Sequence, residues 1–207
     1  MKELKQPTII IIVVIALAVI AAYIIFIMTR KLLVAEQAKI ELKDWEGKNE
    51  TDKSMYPKLV KYWAAAGFDW IDSDNIESYD NEYAWSAAFI CWVVRKYYPN
   101  FPKVATHAKY TIYARDRRKE GKTRVIALEP HEHKPRPGDI IIRHRGYDGN
   151  LDNLYPTAKT HGDIVISNDG DTITTIGGNI GHTVKKTTVQ ANDGYLNSSS
   201  YFAVIKM

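Results

Sequence analysis

The sequence contains a single cysteine among its 207 residues, which excludes a disulfide framework within the chain and a zinc site built from several cysteines. No internal repeat or low-complexity tract is present, which argues against solenoid and fibrous architectures. The formal net charge of +4 is too small to indicate nucleic-acid binding. A composition of 45% apolar and 25% charged residues is typical of a globular domain with a sizeable core.

Charge is absent from residues 8–28, a run of 21 positions that is long enough to cross a bilayer as one helix. A cleaved signal peptide has an apolar run of roughly 7–15 residues before a small-residue cleavage site. Ala16-Leu17-Ala18 resembles such a site, but the apolar run continues for ten residues beyond it. The pattern therefore favours an uncleaved signal anchor over residues 1–30.

The residues after the anchor predict a stalk followed by one domain. Residues 31–55 begin with good helix formers and predict a helical stalk or linker, and residues 56–207 form the expected domain. Two basic residues flank the apolar run on each side, which gives no orientation under the positive-inside rule: Lys2 and Lys5, then Arg30 and Lys31.

The domain begins with helical patterns and ends with strand patterns. Three segments have helical periodicity or composition, at 56–68, 85–98 and 110–120, and the second is apolar nearly all round, as in a buried helix. Five short segments then predict strands, with a tight turn at 168–171: 139–143, 161–166, 172–176, 183–189 and 201–206. Helices followed by a run of antiparallel strands indicate an α+β fold.

Four motifs in this domain resemble those of the NlpC/CHAP-type cell-wall peptidases, in the same order. Trp85-Ser86-Ala87-Ala88-Phe89 is similar to the Trp-Cys-Ala-Ala-Phe helix start of that superfamily, and matches an uncharacterised branch that itself has serine. The other three are similar to its Pro-Gly-Asp strand start, its histidine strand and its third polar segment: Pro137-Gly138-Asp139, Thr160-His161-Gly162-Asp163 and Gly177-Gly178-Asn179.

The resemblance implies a papain-like core and a nucleophile–histidine–polar triad that cleaves amide bonds in peptidoglycan. It places Ser86 as the nucleophile, His161 as the base and Asn179 as the residue that orients the base. A nucleophile at a helix N-terminus gains from the helix dipole and from free backbone N–H groups that can hold an oxyanion. No cofactor is required for this chemistry.

The sequence departs from the superfamily at the nucleophile, because serine replaces cysteine. The only cysteine, Cys91, lies five positions further, so it points about 140° away from Ser86 and about 7.5 Å along the helix axis. Three interpretations remain open. Ser86 is a serine nucleophile, Cys91 is the nucleophile in another register, or the domain binds without cleaving and Ser86 only caps the helix.

Other polar residues are candidates for the same site or for metal binding. Asp163 lies two residues after His161, on the same strand face, and His107 follows the buried helix closely enough to line the same cleft. Asn179 is also compatible with a simple turn residue. Four residues offer potential metal ligands, but no recognisable spacing joins them and a solvated loop is the better interpretation: His131, Glu132, His133 and His144.

Positive charge is concentrated in residues 95–145, where 14 Lys or Arg residues stand against five acidic ones and leave a net charge of +9. Such a surface beside a membrane anchor suits anionic lipid headgroups or anionic wall polymers, and no nucleic-acid reading motif is present.

Together with the apolar run, the resemblance implies a membrane-anchored peptidoglycan amidase or endopeptidase of a bacterium or bacteriophage, and this substrate in turn implies a domain outside the cytoplasm. The alternatives are a peptidoglycan-binding or structural module that kept the fold without the cysteine, and an acyltransferase acting on lipids.

Overall fold

The computed structural model describes residues 6–207, except for the side chains of residues 6–8, 80 and 81. Lys2 and Lys5 of the anchor lie outside the described residues. Five α-helices and a short 3₁₀ turn at Lys53–Met55 precede or flank the sheet: α1 Gln6–Asp44, α2 Tyr56–Ala65, α3 Ile76–Glu82, α4 Ser86–Arg95 and α5 His107–Lys119. The strands follow: β1 Ile126–Leu128, β2 Ile140–His144, β3 Thr160–Asn168, β4 Thr172–Gly177, β5 Lys185–Asn192, β6 Tyr195–Leu196 and β7 Tyr201–Lys206.

Helix α1 has two parts with different surroundings. Its apolar first part is exposed, and among the described residues α1 is the one helix long and apolar enough to cross a membrane, a criterion that a signal sequence also meets. From Val34 onward the helix enters the protein core, where Val34, Ala38 and Trp45 are buried. The expected stalk over 31–55 is therefore corrected, because these contacts make the second part of α1 an integral element of the domain.

Helices α1 and α4 run antiparallel, as three contacts along their length show. Trp45 stacks on Trp85 with ring centroids 4.8 Å apart. Further along, the Trp92 indole donates to Glu41 at 2.9 Å. At the other end, the Arg30 guanidinium lies 4.7 Å from the Tyr98 ring centroid. The N-terminus of α4 is therefore the end that lies furthest from the apolar part of α1.

A seven-stranded antiparallel sheet packs against the helices in the order β1-β7-β2-β3-β4-β5-β6. Because side chains alternate along a strand, Ile142 and Ile164 join the main core with the helices, whereas Ile141 and Val165 form a smaller cluster on the other face. Register shifts after Ile142 and Val165 are bulges, which bend the sheet. The α+β fold expected from the sequence is confirmed.

The boundaries of the elements differ from the expected ones at a few places that matter for the site. Helix α5 begins at His107 rather than at Tyr110, because the Thr106 hydroxyl caps it by accepting from the Lys109 amide at 3.4 Å. Residues 76–82 form the additional helix α3, and β1 and β6 are short strands that the sequence pattern does not predict.

Candidate functional site

Ser86 occupies the first position of α4, at the N-terminal end of the helix. The first main-chain bond of this helix runs from the Phe89 amide to the Trp85 carbonyl at 2.9 Å, so the amides before Phe89 have no partner within the helix. Trp85 makes no side-chain cap. The positive end of the helix dipole and these amides can stabilise a negative charge that develops beside the Ser86 hydroxyl.

The partner of Ser86 is His107, at the start of α5. The Ser86 Oγ lies 2.7 Å from His107 Nε2, and the His107 Nδ1 is hydrogen-bonded to the Tyr110 hydroxyl one turn further along the helix. When the imidazole carries its proton on Nδ1, its Nε2 accepts from the Ser86 hydroxyl. Burial, reinforced by His161 and two nearby arginines, lowers the pKa of His107 well below its usual value, so the ring is neutral near pH 7.

His161 lies beside this pair and is held by Asp163 rather than by Asn179. The His161 Nε2 and the Asp163 Oδ1 are 2.9 Å apart, and both residues are 1% exposed. The rings of His161 and His107 have centroids 5.0 Å apart. Within the described part of the chain the buried Nδ1 of His161 has no hydrogen-bond partner. The structure therefore brings Ser86, His107, His161 and Asp163 into one cluster, in which the serine hydroxyl contacts His107 and not His161.

Asn179 follows the end of β4 and does not orient His161. Strands β3 and β4 pair Ile164 with Ile176, and continuing this register would set Asn179 opposite His161. The strand ends at Gly177 instead, and Asn179 adopts a left-handed turn with a φ of 54°. Its side chain makes no hydrogen bond among those of residues 6–207.

Two glycines leave room for this cluster. A Cβ at Gly177 would overlap the carboxylate of Asp163, and a Cβ at Gly178 would lie 2.6 Å from the Cβ of Phe89. The first glycine thus makes space for the acceptor of His161, and the second allows the first turn of α4 to approach the sheet. The glycine pair has a packing role that a turn signal alone does not reveal.

Cys91 is directed away from the cluster. Its thiol is fully buried and lies 3.2 Å from the Val104 carbonyl, to which it donates. Burial raises the pKa of the thiol to about 11, so it stays protonated near pH 7. The structure therefore does not place Cys91 where it could attack a substrate.

The Ser86–His107 pair opens onto a cleft of about 470 Å³. Arg145, Lys159 and Thr160 also line this cleft, which makes its wall basic. A neighbouring groove of about 640 Å³, which shares Ala84, Ala105 and Thr106 with it, is lined by aromatic rings. Ser86 itself is only 3% exposed, so a substrate must approach it through the cleft.

The potential metal ligands of the sequence are engaged separately. Glu132 pairs with Arg118 at 2.6 Å, and His133 contacts Asp139 at 2.9 Å. His144 packs on the Phe202 ring, with centroids 4.8 Å apart. No group of three or more His, Cys, Asp or Glu side chains suited to a metal ion occurs among the described residues.

Fold and site together define an α+β protein with an N-terminal apolar helix and a buried serine–histidine pair at a helix start. The chain belongs to the family DUF2272, described as an uncharacterized protein conserved in bacteria, whose sequence model matches residues 36–199. This match begins inside α1 and includes every member of the Ser86 cluster. No curated protein and no solved structure matches the chain.

Proposed function

We propose that this protein is a membrane-tethered serine amidase or endopeptidase that hydrolyses amide bonds in peptidoglycan. The observation that carries the proposal is the 2.7 Å contact between the Ser86 hydroxyl and the neutral His107, at a helix N-terminus that opens onto a cleft. The resemblance of four ordered motifs to NlpC/CHAP-type enzymes supports the substrate and a papain-like core.

In the proposed reaction the Ser86 oxygen attacks the carbonyl carbon of the amide while His107 Nε2 takes the hydroxyl proton. The free amides at the start of α4 stabilise the oxyanion of the tetrahedral intermediate. As the intermediate collapses, the C–N bond breaks and His107 returns its proton to the leaving amine. Water then attacks the acyl ester of Ser86 with His107 again as base, which releases a carboxylic acid and regenerates the serine.

His107 replaces His161 as the base in this proposal, because the serine contacts His107. The low pKa of His107 keeps it in the basic form but weakens it as a proton acceptor, so the hydrogen bond to Tyr110 and the preorganised amides must compensate. His161, fixed by Asp163, packs beside the His107 ring, and its buried Nδ1 has no hydrogen-bond partner among the described residues.

A membrane tether and this substrate fit together when the domain lies outside the cytoplasm. The apolar part of α1 supplies the tether, and peptidoglycan lies on the outer side of the cytoplasmic membrane. We therefore include a periplasmic or extracytoplasmic location of the domain in the proposal.

A non-catalytic peptidoglycan-binding module is the second candidate, and one observation favours it. The serine replaces the more acidic thiol of the resembling enzymes, and its supporting histidine has a lowered pKa. Under this alternative the Ser86–His107 contact stabilises the junction of α4 and α5, and the basic cleft binds anionic groups of the wall without chemistry.

The test uses the full chain in detergent micelles, with purified peptidoglycan as one substrate and a fluorophosphonate as a substrate-independent probe of serine nucleophiles. Wild type and Cys91→Ala are expected to release muropeptides and to label. Ser86→Ala should abolish both, and His107→Gln should slow both by about 10²–10⁴-fold. A slower reaction in His161→Gln but not in His107→Gln would restore His161 as the base.

The two readouts separate the chemistry from the substrate. Labelling of Ser86 without muropeptide release would support a serine nucleophile but would overturn the proposal that peptidoglycan is the substrate. Neither labelling nor release by a folded wild-type protein, together with sedimentation on peptidoglycan, would establish the binding module.

A further inference from the structure

The loop between α5 and β1, residues 120–125, carries positive charge that the fold does not neutralise. From Arg117 to Arg124 the sequence has five basic residues against Glu120 alone. Arg118 is paired with Glu132, but the exposed side chains of Lys119 and Lys122 make no ion pair or hydrogen bond in the part of the chain that the structure describes. We refer to residues 120–125 as the α5–β1 loop.

This loop contacts the apolar part of α1. The Arg124 guanidinium lies over the Tyr23 ring, 5.3 Å from its centroid. Arg30 lies in the same way over Phe26, at 5.3 Å, and over Tyr98. The loop is therefore fixed beside the end of the apolar helix rather than projecting into solvent.

The contact of Arg124 with Tyr23 limits where the membrane surface can lie along α1. Tyr23 precedes the end of the apolar run at Met28 by five residues, which is about 7.5 Å along a helix. A guanidinium is costly inside the hydrocarbon core, so the headgroup layer has to begin near Tyr23 and not at Met28. The uncharged residues 6–22 then cross the core, and their number, 17, is the lower end of the range that spans a bilayer. Tyrosine is enriched at the headgroup level of membrane helices, which agrees with this boundary.

The loop is held in one conformation. Two nitrogens of the Arg117 guanidinium donate to the Arg124 carbonyl, at 3.3 and 3.2 Å. The next residue, Val125, is buried and has a φ of 49°, a left-handed conformation that β-branched residues rarely adopt. Such a conformation persists only where the surrounding structure determines it, so the basic side chains are presented by a preformed loop.

We propose that the α5–β1 loop, together with Arg30, binds the phosphates of anionic phospholipid headgroups and docks the domain on the membrane surface. The guanidinium groups suit bidentate phosphate binding, and Lys122 adds a point charge at the same edge. Each basic residue near an anionic membrane is expected to strengthen binding about fivefold. This docking is independent of the proposed enzymatic activity.

The experiment uses the full chain in nanodiscs, with a fluorophore attached through Thr123→Cys in the loop. The fully buried Cys91 should not react, which the protein without the added thiol checks. Phosphatidylglycerol or phosphatidylcholine with a nitroxide on the fifth acyl carbon serves as quencher, since both headgroups remain intact. For each labelled lipid, we determine the mole fraction at which half of the fluorescence is quenched. The lipid with the lower value is the one whose headgroup is enriched at the loop.

Phosphatidylglycerol is expected to reach half-quenching at a mole fraction about 25-fold lower than phosphatidylcholine, since Lys122 and Arg124 each contribute about fivefold. Lys122→Gln should raise that fraction about fivefold, and the double variant with Arg124→Gln should remove the preference. A matched control, Lys185→Gln with Lys186→Gln, loses the same charge on β5 beside the far end of α1 and should retain the preference.

Three results would overturn the proposal. Equal quenching by both lipids would mean that the loop lies at the membrane without binding anionic headgroups. No quenching by either would mean that it does not reach the bilayer. Loss of the preference on adding a low concentration of a soluble glycerol phosphate polymer would assign the surface to wall polymers.

Discussion

Glu41 should be the strongest single link between α1 and the domain. Its buried carboxylate accepts from Gln37 and Trp92 on one oxygen and from Lys58 and Tyr62 on the other, at 2.6–2.9 Å. Burial opposes the ionisation of Glu41, but the hydrogen bonds from Lys58, Tyr62 and Trp92 outweigh it and lower its pKa. The substitution Glu41→Gln keeps the shape of the side chain and removes its charge.

The expected loss of unfolding free energy in Glu41→Gln depends on the partners that Lys58 retains. Breaking a buried ion pair costs about 3–5 kcal/mol. Lys58 keeps a second partner, Asp44 at 2.7 Å, and its side chain is 25% exposed, which reduces the penalty. We therefore expect Glu41→Gln to lower the free energy of unfolding by about 2–3 kcal/mol, or the melting temperature by roughly 4–12 °C.

The pH dependence has a definite sign. Because the pKa of Glu41 is lower in the folded than in the unfolded chain, its contribution is complete above about pH 4.3 and is lost as the pH falls through the folded pKa. Thermal unfolding of the full chain in micelles, followed by near-ultraviolet circular dichroism, measures the melting temperature. The melting temperature of Glu41→Gln should be lower than that of wild type at pH 7, and the difference should narrow below pH 4.

The matched control is Glu36→Gln on the same helix, where the side chain is 59% exposed and pairs with Lys39. This change should alter the free energy of unfolding by less than about 0.5 kcal/mol. The assignment of an ionised Glu41 that links α1 to the domain would be refuted by either of two results. One is an equal loss of unfolding free energy in the two variants, and the other is a loss in Glu41→Gln that stays unchanged at pH 3.

Three further predictions concern the site and its surroundings. Tyr110→Phe removes the hydroxyl that contacts His107 and should slow fluorophosphonate labelling of Ser86 about three- to tenfold, without the loss seen in Ser86→Ala. Cys91 should resist thiol reagents at pH 8 until the protein unfolds, since its thiol is buried with a pKa of about 11; rapid labelling of the native protein would contradict this placement. Gly177→Ala should destabilise the protein by about 1–3 kcal/mol, and the same change should cost less in an Asp163→Ala background, which a double-mutant cycle by thermal unfolding would measure.

Much of the sheet could be predicted because its strands carry local signals. Residues 201–206 were expected as a strand and form β7 with those bounds, since apolar residues with β propensity run to the end of the chain. Strands β1 and β6 have three and two residues, too short for a periodic pattern, and only their neighbours in the sheet define them.

The burial of α1 was not predicted, although its helical conformation was. Val34 and Ala38 lie on one stripe of the helix, and Trp45, the residue directly after its end, continues the stripe seven residues beyond Ala38. Glu41 falls on the same stripe, and a carboxylate there indicates a solvent-facing side. Gln37 on the same helix supplies one of the four donors that allow it to be buried, and only the tertiary structure supplies the other three, so the sequence pattern suggested a stalk.

The site was predicted in part for a similar reason. Ser86 was expected at a helix start and lies there, and Asp163 was expected beside His161 and contacts it. His107 was only an accessory candidate because the helix was expected to begin at Tyr110. A local signal was present: Thr106 is a good N-cap residue, and a helix that starts after it sets His107 and Tyr110 three apart on one face.

The antiparallel pairing of α1 and α4 also bears on which substrate the site can reach. Arg30 marks the membrane end of this pair. Trp45, which stacks on Trp85 next to Ser86, marks the far end. The two residues are 15 positions apart, or about 22 Å along the helix. This separation is several times the thickness of the headgroup layer, about 5–7.5 Å. A membrane lipid would have to leave the bilayer to meet Ser86, whereas an extended wall polymer outside the membrane would not. The geometry therefore supports the amide hydrolase over the lipid acyltransferase.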